Sequence, residues 1–347
     1  MALLLAACAR DPAMKRWTDD VAIAERMLDD GKVESARVEF QRLERLASSP
    51  ADVRTMRLRQ AEALRRQQRW DEADALLVLV LRTPELAVAQ RAKAHYLRAR
   101  IALDRGDVAG GEARLRRVID HFPSSVYAHR AFEYLRGELR ERDPAALLDW
   151  CREEYRKHPD SGLADNFAYE AGRIYFERGE DDRALELYAL VMKRWRFETS
   201  GLWDDALWET SLIRHKRREF PAEIALLDEL LSHREETWIG SYEIRNFKYA
   251  ALRLARIYHD DLKDYERAAK AFHAFPIEFP NSLFKDDALW YEAWSWQKAG
   301  RTEEAKAAFT RLAAEYPDSK YTRRVQEGRP GPDPDAPPFE RPGFFRP

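Results

Sequence analysis

The 347-residue chain is expected to be all-α, a right-handed superhelical solenoid of about eight helical hairpins. Three observations carry that expectation. First, the stretch from Phe279 to Pro317 brackets two helical runs between Phe-Pro-Asn-Ser and Tyr-Pro-Asp-Ser. It sets Ala293, Trp296, Gly300, Ala305, Phe309 and Pro317 where two antiparallel helices need a small crossing residue, large neighbours, a turn and a stop. Second, Asp204-Asp205-Ala206-Leu207-Trp208 recurs as Asp286-Asp287-Ala288-Leu289-Trp290. Third, 45% hydrophobic and 35% charged residues suit amphipathic helices with solvated outer faces. A repeat of about 34 to 40 residues replaces the separate globular domains that this length would otherwise suggest.

The solenoid is expected over residues 17–320. In the first hairpin Val21, Ala24, Met27 and Leu28 form one apolar stripe, Gly31 breaks it, and Val33, Ala36, Phe40, Leu43 and Leu46 form the next. The second runs from Ala51 to Arg82, with a glycine-free turn near Arg69–Trp70, Ala73 and Leu77 behind it, and Pro84 as a stop. The third, Glu85 to Phe122, has Ala99 and Ala102 at the crossing and Gly106 at the turn, and ends on Phe122-Pro123-Ser124-Ser125. Its Gly110–Gly111 pair is expected to soften the second helix. The fourth, Val126 to Lys157, turns at Asp143-Pro144, where proline fits a first helical turn, and closes on His158-Pro159-Asp160-Ser161.

Gly172, Tyr175, Gly179, Ala184 and Tyr188 mark the fifth hairpin, and Trp195 to Ser200 read as its decayed terminator. The sixth, Gly201 to His233, has Pro221 near the start of its second helix. The seventh, Gly240 to Glu278, carries Ala255, Tyr258, Ala268 and Phe272, with one extra residue in its turn and a longer lead-in around Trp238. Phe279 to Pro317 is the eighth. Residues 321–347 are expected to be a Pro-rich disordered tail, because the run Gly328-Arg329-Pro330-Gly331-Pro332 and its continuation forbid helix. Its Phe339, Phe344 and Phe345, interleaved with Arg341 and Arg346, are either a short docking motif or an unstructured end.

Several chemistries are disfavoured. A net charge of −2 does not suit a general nucleic-acid binder, which needs a basic stripe. The two cysteines, Cys8 and Cys151, are far apart, with neither a disulfide framework nor metal-ligand spacing, and Cys151 is expected on an inner helix face. His121, His158, His259 and His273 have no neighbouring nucleophile and no His-Glu-x-x-His pattern. Asp204–Asp205 and Asp286–Asp287 open helices and are expected to cap them. There is no phosphate-cradling glycine loop, so no catalytic residue, cofactor or metal is expected.

The terminators Phe122-Pro123-Ser124-Ser125, Phe279-Pro280-Asn281-Ser282 and Tyr316-Pro317-Asp318-Ser319 resemble those of tetratricopeptide repeats in bacterial envelope proteins. Two groups share that repeat type: the BamD lipoprotein of outer-membrane β-barrel assembly, and the TolA-binding coordinator of cell division. BamD-like proteins have fewer repeats than the eight counted here, and the TolA-binding group carries an N-terminal coiled coil that is not found in this sequence. The resemblance implies an interaction scaffold. Leu5-Ala6-Ala7-Cys8 resembles the lipobox of bacterial lipoproteins, in which the cysteine becomes diacylated. Its apolar run is short and lacks a charged start, so residues 1–16 are expected to be a truncated lipoprotein signal and linker. Ala9 after the cysteine fits the outer-membrane sorting pattern, which implies an outer-membrane lipoprotein facing the periplasm. With Cys8 an accident, the alternative is a cytoplasmic scaffold or regulator. Membrane contact would be by lipid alone, since no run approaches the length of a membrane-spanning helix.

In such repeats the first helix of each hairpin lines the concave surface. One inward position is then held by Tyr96, Phe132, Tyr169, Trp208, Leu252 and Trp290, and the position one turn on by Arg100, Arg136, Arg173, Leu212, Arg256 and Trp294. In the first two hairpins these positions are Val21 and Leu58, then Glu25 and Glu62. Aromatic faces beside guanidinium groups suit a protein or extended peptide that carries acidic side chains or a free carboxylate. A second reading stays open: the aromatics pack between neighbouring helices as a structural ladder, and each arginine pairs with an acid such as Asp104 or Glu177.

Overall fold

The computed structural model describes residues 12–196, 200–233 and 245–328. Cys8, the Phe197–Thr199 part of the decayed terminator, Trp238, and the tail residues Phe339, Arg341, Phe344, Phe345 and Arg346 lie outside the described residues. Those described form helices joined by short turns, with no strand among them. The chain divides into two compact units, Met1–Ala164 and Asp165–Pro347.

The first unit holds four hairpins: α1 (Pro12–Asp29) with α2 (Val33–Leu46), α3 (Pro50–Arg66) with α4 (Trp70–Leu81), α5 (Val88–Asp104) with α6 (Val108–His121), and α7 (Val126–Arg142) with α8 (Pro144–Lys157). Each pair packs together, and α3 touches α5 as α5 touches α7, so successive first helices lie side by side. A hairpin cannot bury its apolar stripe alone, and stacking supplies the missing wall. Local chemistry sets the boundaries. Asp143 accepts hydrogen bonds from the Ala145 and Ala146 amides, and Pro144 follows at the first helical position. The Gly110–Gly111 pair leaves α6 unbroken and serves close packing: a Cβ on Gly111 would come within 3.1 Å of the Leu103 backbone nitrogen.

The second unit continues with α9 (Ala164–Glu177), α10 (Asp181–Arg194), α11 (Trp203–Lys216), α12 (Phe220–Ser232), α13 (Arg245–Arg256), α14 (Tyr265–Glu278), α15 (Lys285–Lys298), α16 (Thr302–Glu315) and α17 (Lys320–Gln326). At the α9–α10 crossing a Cβ on Gly172 would stand 2.9 Å from the Tyr188 ring, which is why the small residue sits there. The extra residue of the seventh hairpin is absorbed by a π-helical stretch, Ile257–Asp261, at the end of α13. Three turns without glycine reach the left-handed backbone on Gln68 (φ 61), Arg218 (φ 59) and Lys263 (φ 57), the conformation that Gly300 adopts at φ 76.

One expectation is corrected and one is extended. The helical pattern does not end at Lys320: α17 follows, and Tyr321 is wholly buried against Trp290, with ring centroids 5.0 Å apart. The second pair of acids does more than cap its own helix: both stand in its first turn, and Asp287 accepts a bond from its own backbone amide. Asp286 also accepts a 2.7 Å bond from Ser319, and Asp287 a 2.5 Å bond from the Tyr321 hydroxyl. Asp165 accepts from Ser200 in the same way at 2.6 Å, so the serine after one hairpin ties back to the acid that opens it.

Candidate partner-binding faces

The aromatic row lies inside the hairpin stack. Tyr96, Phe132, Tyr169 and Trp208 are buried, and Trp290 is wholly enclosed. Tyr96 packs on Tyr127 of α7 (5.6 Å between ring centroids), Phe132 on Trp150 of α8 (5.9 Å), Tyr169 on Tyr188 of α10 (5.7 Å), and Trp290 on Phe309 and Tyr321. The Arg253 guanidinium covers the Trp208 ring at 5.7 Å. As direct contacts for a partner these five are corrected: their area is spent on neighbouring helices, as the ladder reading holds. Leu252 is buried with them.

The second row behaves differently, because Arg100, Arg136, Arg173, Leu212, Arg256 and Trp294 are all half-buried. Arg136 pairs with Glu133 at 2.6 Å, Arg173 with Glu170 at 3.7 Å and Glu177 at 3.6 Å, and Arg256 with Asp260 at 2.6 Å. Arg100 has no carboxylate partner among the described residues, since Arg65 takes Asp104 at 2.5 Å. It donates one long bond, 3.4 Å, to the Tyr96 hydroxyl, lies 5.4 Å from the Tyr134 ring centroid, and keeps a buried Nε with no acceptor.

In the first unit the surroundings of Arg100 form a cationic, aromatic face on α5 and α7. Half-buried Tyr134 lies beside Arg100, and on the same helix as Tyr134 Arg130 lies over half-buried Tyr127 at 5.4 Å. Burial raises both phenols above their ordinary value. Sequence reasoning passed over these tyrosines, although their seven-residue spacing already put them on one face of α7. Nearby, Lys93 is buried and bonded to Glu62 at 3.0 Å, while Arg59 joins Glu62 to Glu25. Burial pulls the Lys93 ammonium below its usual range. It pushes Glu62 up, but the surrounding Lys93, Arg59 and Arg66 outweigh it and hold that carboxyl low. These acids of the first two hairpins are already neutralised, and Arg100 has no carboxylate partner among the described residues.

In the second unit the π-helical stretch brings His259 against Trp294, with ring centroids 4.5 Å apart and Tyr291 beside them. His259 Nδ1 is 2.8 Å from Asp260, and its Nε2 is buried without a partner. Burial pushes Asp260 up, yet His259 and Arg256 hold it below the usual carboxylate range. Lys298 stands over the Trp294 ring at 5.6 Å. Trp294 is therefore the one aromatic of the two rows that keeps an accessible edge. No described helix is long and apolar enough to cross a membrane.

Residues 96–162 match a tetratricopeptide repeat family, and residues 249–282 and 287–319 match a second family of the same description. These segments cover hairpins three and four and hairpins seven and eight. No curated protein sequence matches the chain. Among solved structures, the chain is similar to PilW, described as a widely conserved type IV pilus biogenesis factor (14% identity, 79% of this chain and 98% of that one, TM-score 0.34). It is also similar to the apo quorum sensor NprR from B. thuringiensis (10% identity, 91% and 79%, TM-score 0.36) and to apo RapI (12% identity, 91% and 82%, TM-score 0.40).

Proposed function

This is a tetratricopeptide-repeat chain, and from that premise we propose that it is a non-enzymatic scaffold. It binds a protein or an extended peptide through carboxylates, along the first helices of its hairpins. The observation that carries this reading is Arg100. A half-buried guanidinium between Tyr96 and Tyr134 has lost water without gaining an anion among the described residues. A carboxylate from outside would complete it bidentately, and half-buried Tyr134 would supply contact area at low entropy cost. The lipobox-like Leu5-Ala6-Ala7-Cys8 supports the finer part of the reading. A diacylated Cys8 would hold the scaffold on the bacterial outer membrane, facing the periplasm, as an adaptor of an envelope assembly complex.

The test is a binding screen of fluorescent ten-residue peptides of graded acidity, with free or amidated C-termini, against the parent protein and Arg100→Ala. Acidic or free-carboxylate peptides are expected to bind, and Arg100→Ala to weaken them at least tenfold with an unchanged circular dichroism spectrum. Equal binding of neutral and acidic peptides, or an unaffected Arg100→Ala, would refute the carboxylate reading. For the anchor, the intact mass of the protein from its native host decides: a mature chain starting at acylated Cys8 supports the envelope adaptor, and an unmodified start supports the cytoplasmic alternative.

A further inference from the structure

We propose that Asp120, Glu154 and His158 form a binding site for a divalent transition-metal ion of the zinc type. The three come from the last turn of α6, the last turn of α8 and the residue that caps α8. One carboxylate oxygen from each acid and one ring nitrogen of His158 lie within 4.8 Å of one another, with His158 Nε2 4.0 Å from an Asp120 oxygen. Zinc ligands stand about 2.0–2.2 Å from the ion, hence about 3.4 Å apart in a tetrahedral site, so exposed Asp120 would have to close on His158 by about 0.6 Å. The His158 amide bonds the Glu154 carbonyl at 2.9 Å, which fixes these two ligands relative to each other.

The independent observation is Glu154 itself. It is 5% exposed, its Oε1 is bonded to Lys157 at 3.1 Å, and its Oε2 is buried with no hydrogen-bond partner among the described residues. A dry carboxylate oxygen without a donor is costly to bury. A cation between the Glu154 carboxylate, Asp120 and His158 would offset that cost, with Lys157 held on Oε1. The imidazole selects the class of ion, because nitrogen beside carboxylates suits zinc and its neighbours, whereas magnesium and calcium prefer an all-oxygen set. Three protein ligands leave a fourth position for water. The ligands belong to the second helices of hairpins three and four, so a bound ion would tie neighbouring repeats within the first unit.

The test is isothermal titration of the chelator-treated full chain with zinc chloride, manganese chloride and magnesium chloride. One zinc per chain is expected, with magnesium silent. Asp120→Asn and His158→Gln, both at accessible positions, should each weaken zinc at least tenfold while leaving the helical circular dichroism spectrum intact. Lys157→Ala should bind zinc at least as well as the parent, since it removes a competing cation. No zinc binding by the parent overturns the proposal, and so does zinc binding that neither Asp120→Asn nor His158→Gln changes, which would assign the ion to other histidines or cysteines.

Discussion

Replacing Trp290 by alanine is expected to loosen α16 and α17 from α15 while leaving the first unit folded. The indole is wholly enclosed between Phe309 of α16, at 5.7 Å, and Tyr321 of α17, at 5.0 Å. Truncation of a buried tryptophan costs about 3–5 kcal/mol, of which the aromatic pairing accounts for about 0.5–1.5. In a repeat stack this loss falls on the hairpin concerned and its neighbour. The magnitude can be separated from a polar effect, because the indole nitrogen of Trp290 is buried without an acceptor. Trp290→Phe retains a ring and discards that unmatched donor, so it should cost no more than about 1.5 kcal/mol. Urea unfolding followed by circular dichroism gives the two free energies, and amide hydrogen exchange in α15, α16 and α17 locates them. A Trp290→Ala protein within about 1 kcal/mol of the parent, or a Trp290→Phe protein as damaged as the alanine variant, would refute the ladder assignment.

Three further outcomes are expected. Glu223 is fully buried between Arg253, at 2.6 Å, and His215, at 2.9 Å; Glu223→Ala strands the 15%-exposed Arg253 and should cost about 3–5 kcal/mol by urea denaturation. Burial raises the Asp287 carboxyl above its ordinary value, so its neutral form favours folding. That contribution is complete below the unfolded value of about 3.9 and is lost as pH rises through the higher folded value. Asp287→Asn should remove this pH dependence and raise the melting temperature at neutral pH. Gln68 holds a left-handed backbone at φ 61, so Gln68→Gly should be neutral or stabilising by up to about 1 kcal/mol in thermal melts, whereas glycine in the middle of α3 would destabilise.

Much of the fold was legible because its signals are local. The apolar period, the Pro-x-Ser terminators, Asp143-Pro144 and the small residue at Gly172 each act through neighbours in the same hairpin, and the structure has a hairpin at each place they predict. The extra residue of the seventh hairpin was also visible, although only the backbone shows that it becomes the π-helical stretch Ile257–Asp261 that carries His259 to Trp294. Repeat spacing likewise pointed to the tetratricopeptide-type hairpins that the family matches cover in part.

The candidate faces were legible only in part. Helical period put Tyr96, Phe132, Tyr169, Trp208 and Trp290 on one face, but a first helix presents the same face both to its groove and to the next hairpin. Whether a ring meets solvent or a neighbour depends on residues a full repeat away, such as Tyr321 for Trp290. The partners of Asp286 and Asp287, and the meeting of Asp120 with Glu154 and His158, are decided at the same distance. The sequence by itself determined the helices, their turns and the hairpin repeat, because backbone propensities and caps act within a few residues. Which side chains stay reachable, and that Asp104 pairs with Arg65 rather than with Arg100, were decided by tertiary stacking alone, since burial and charge pairing are properties of helices brought together across the repeat.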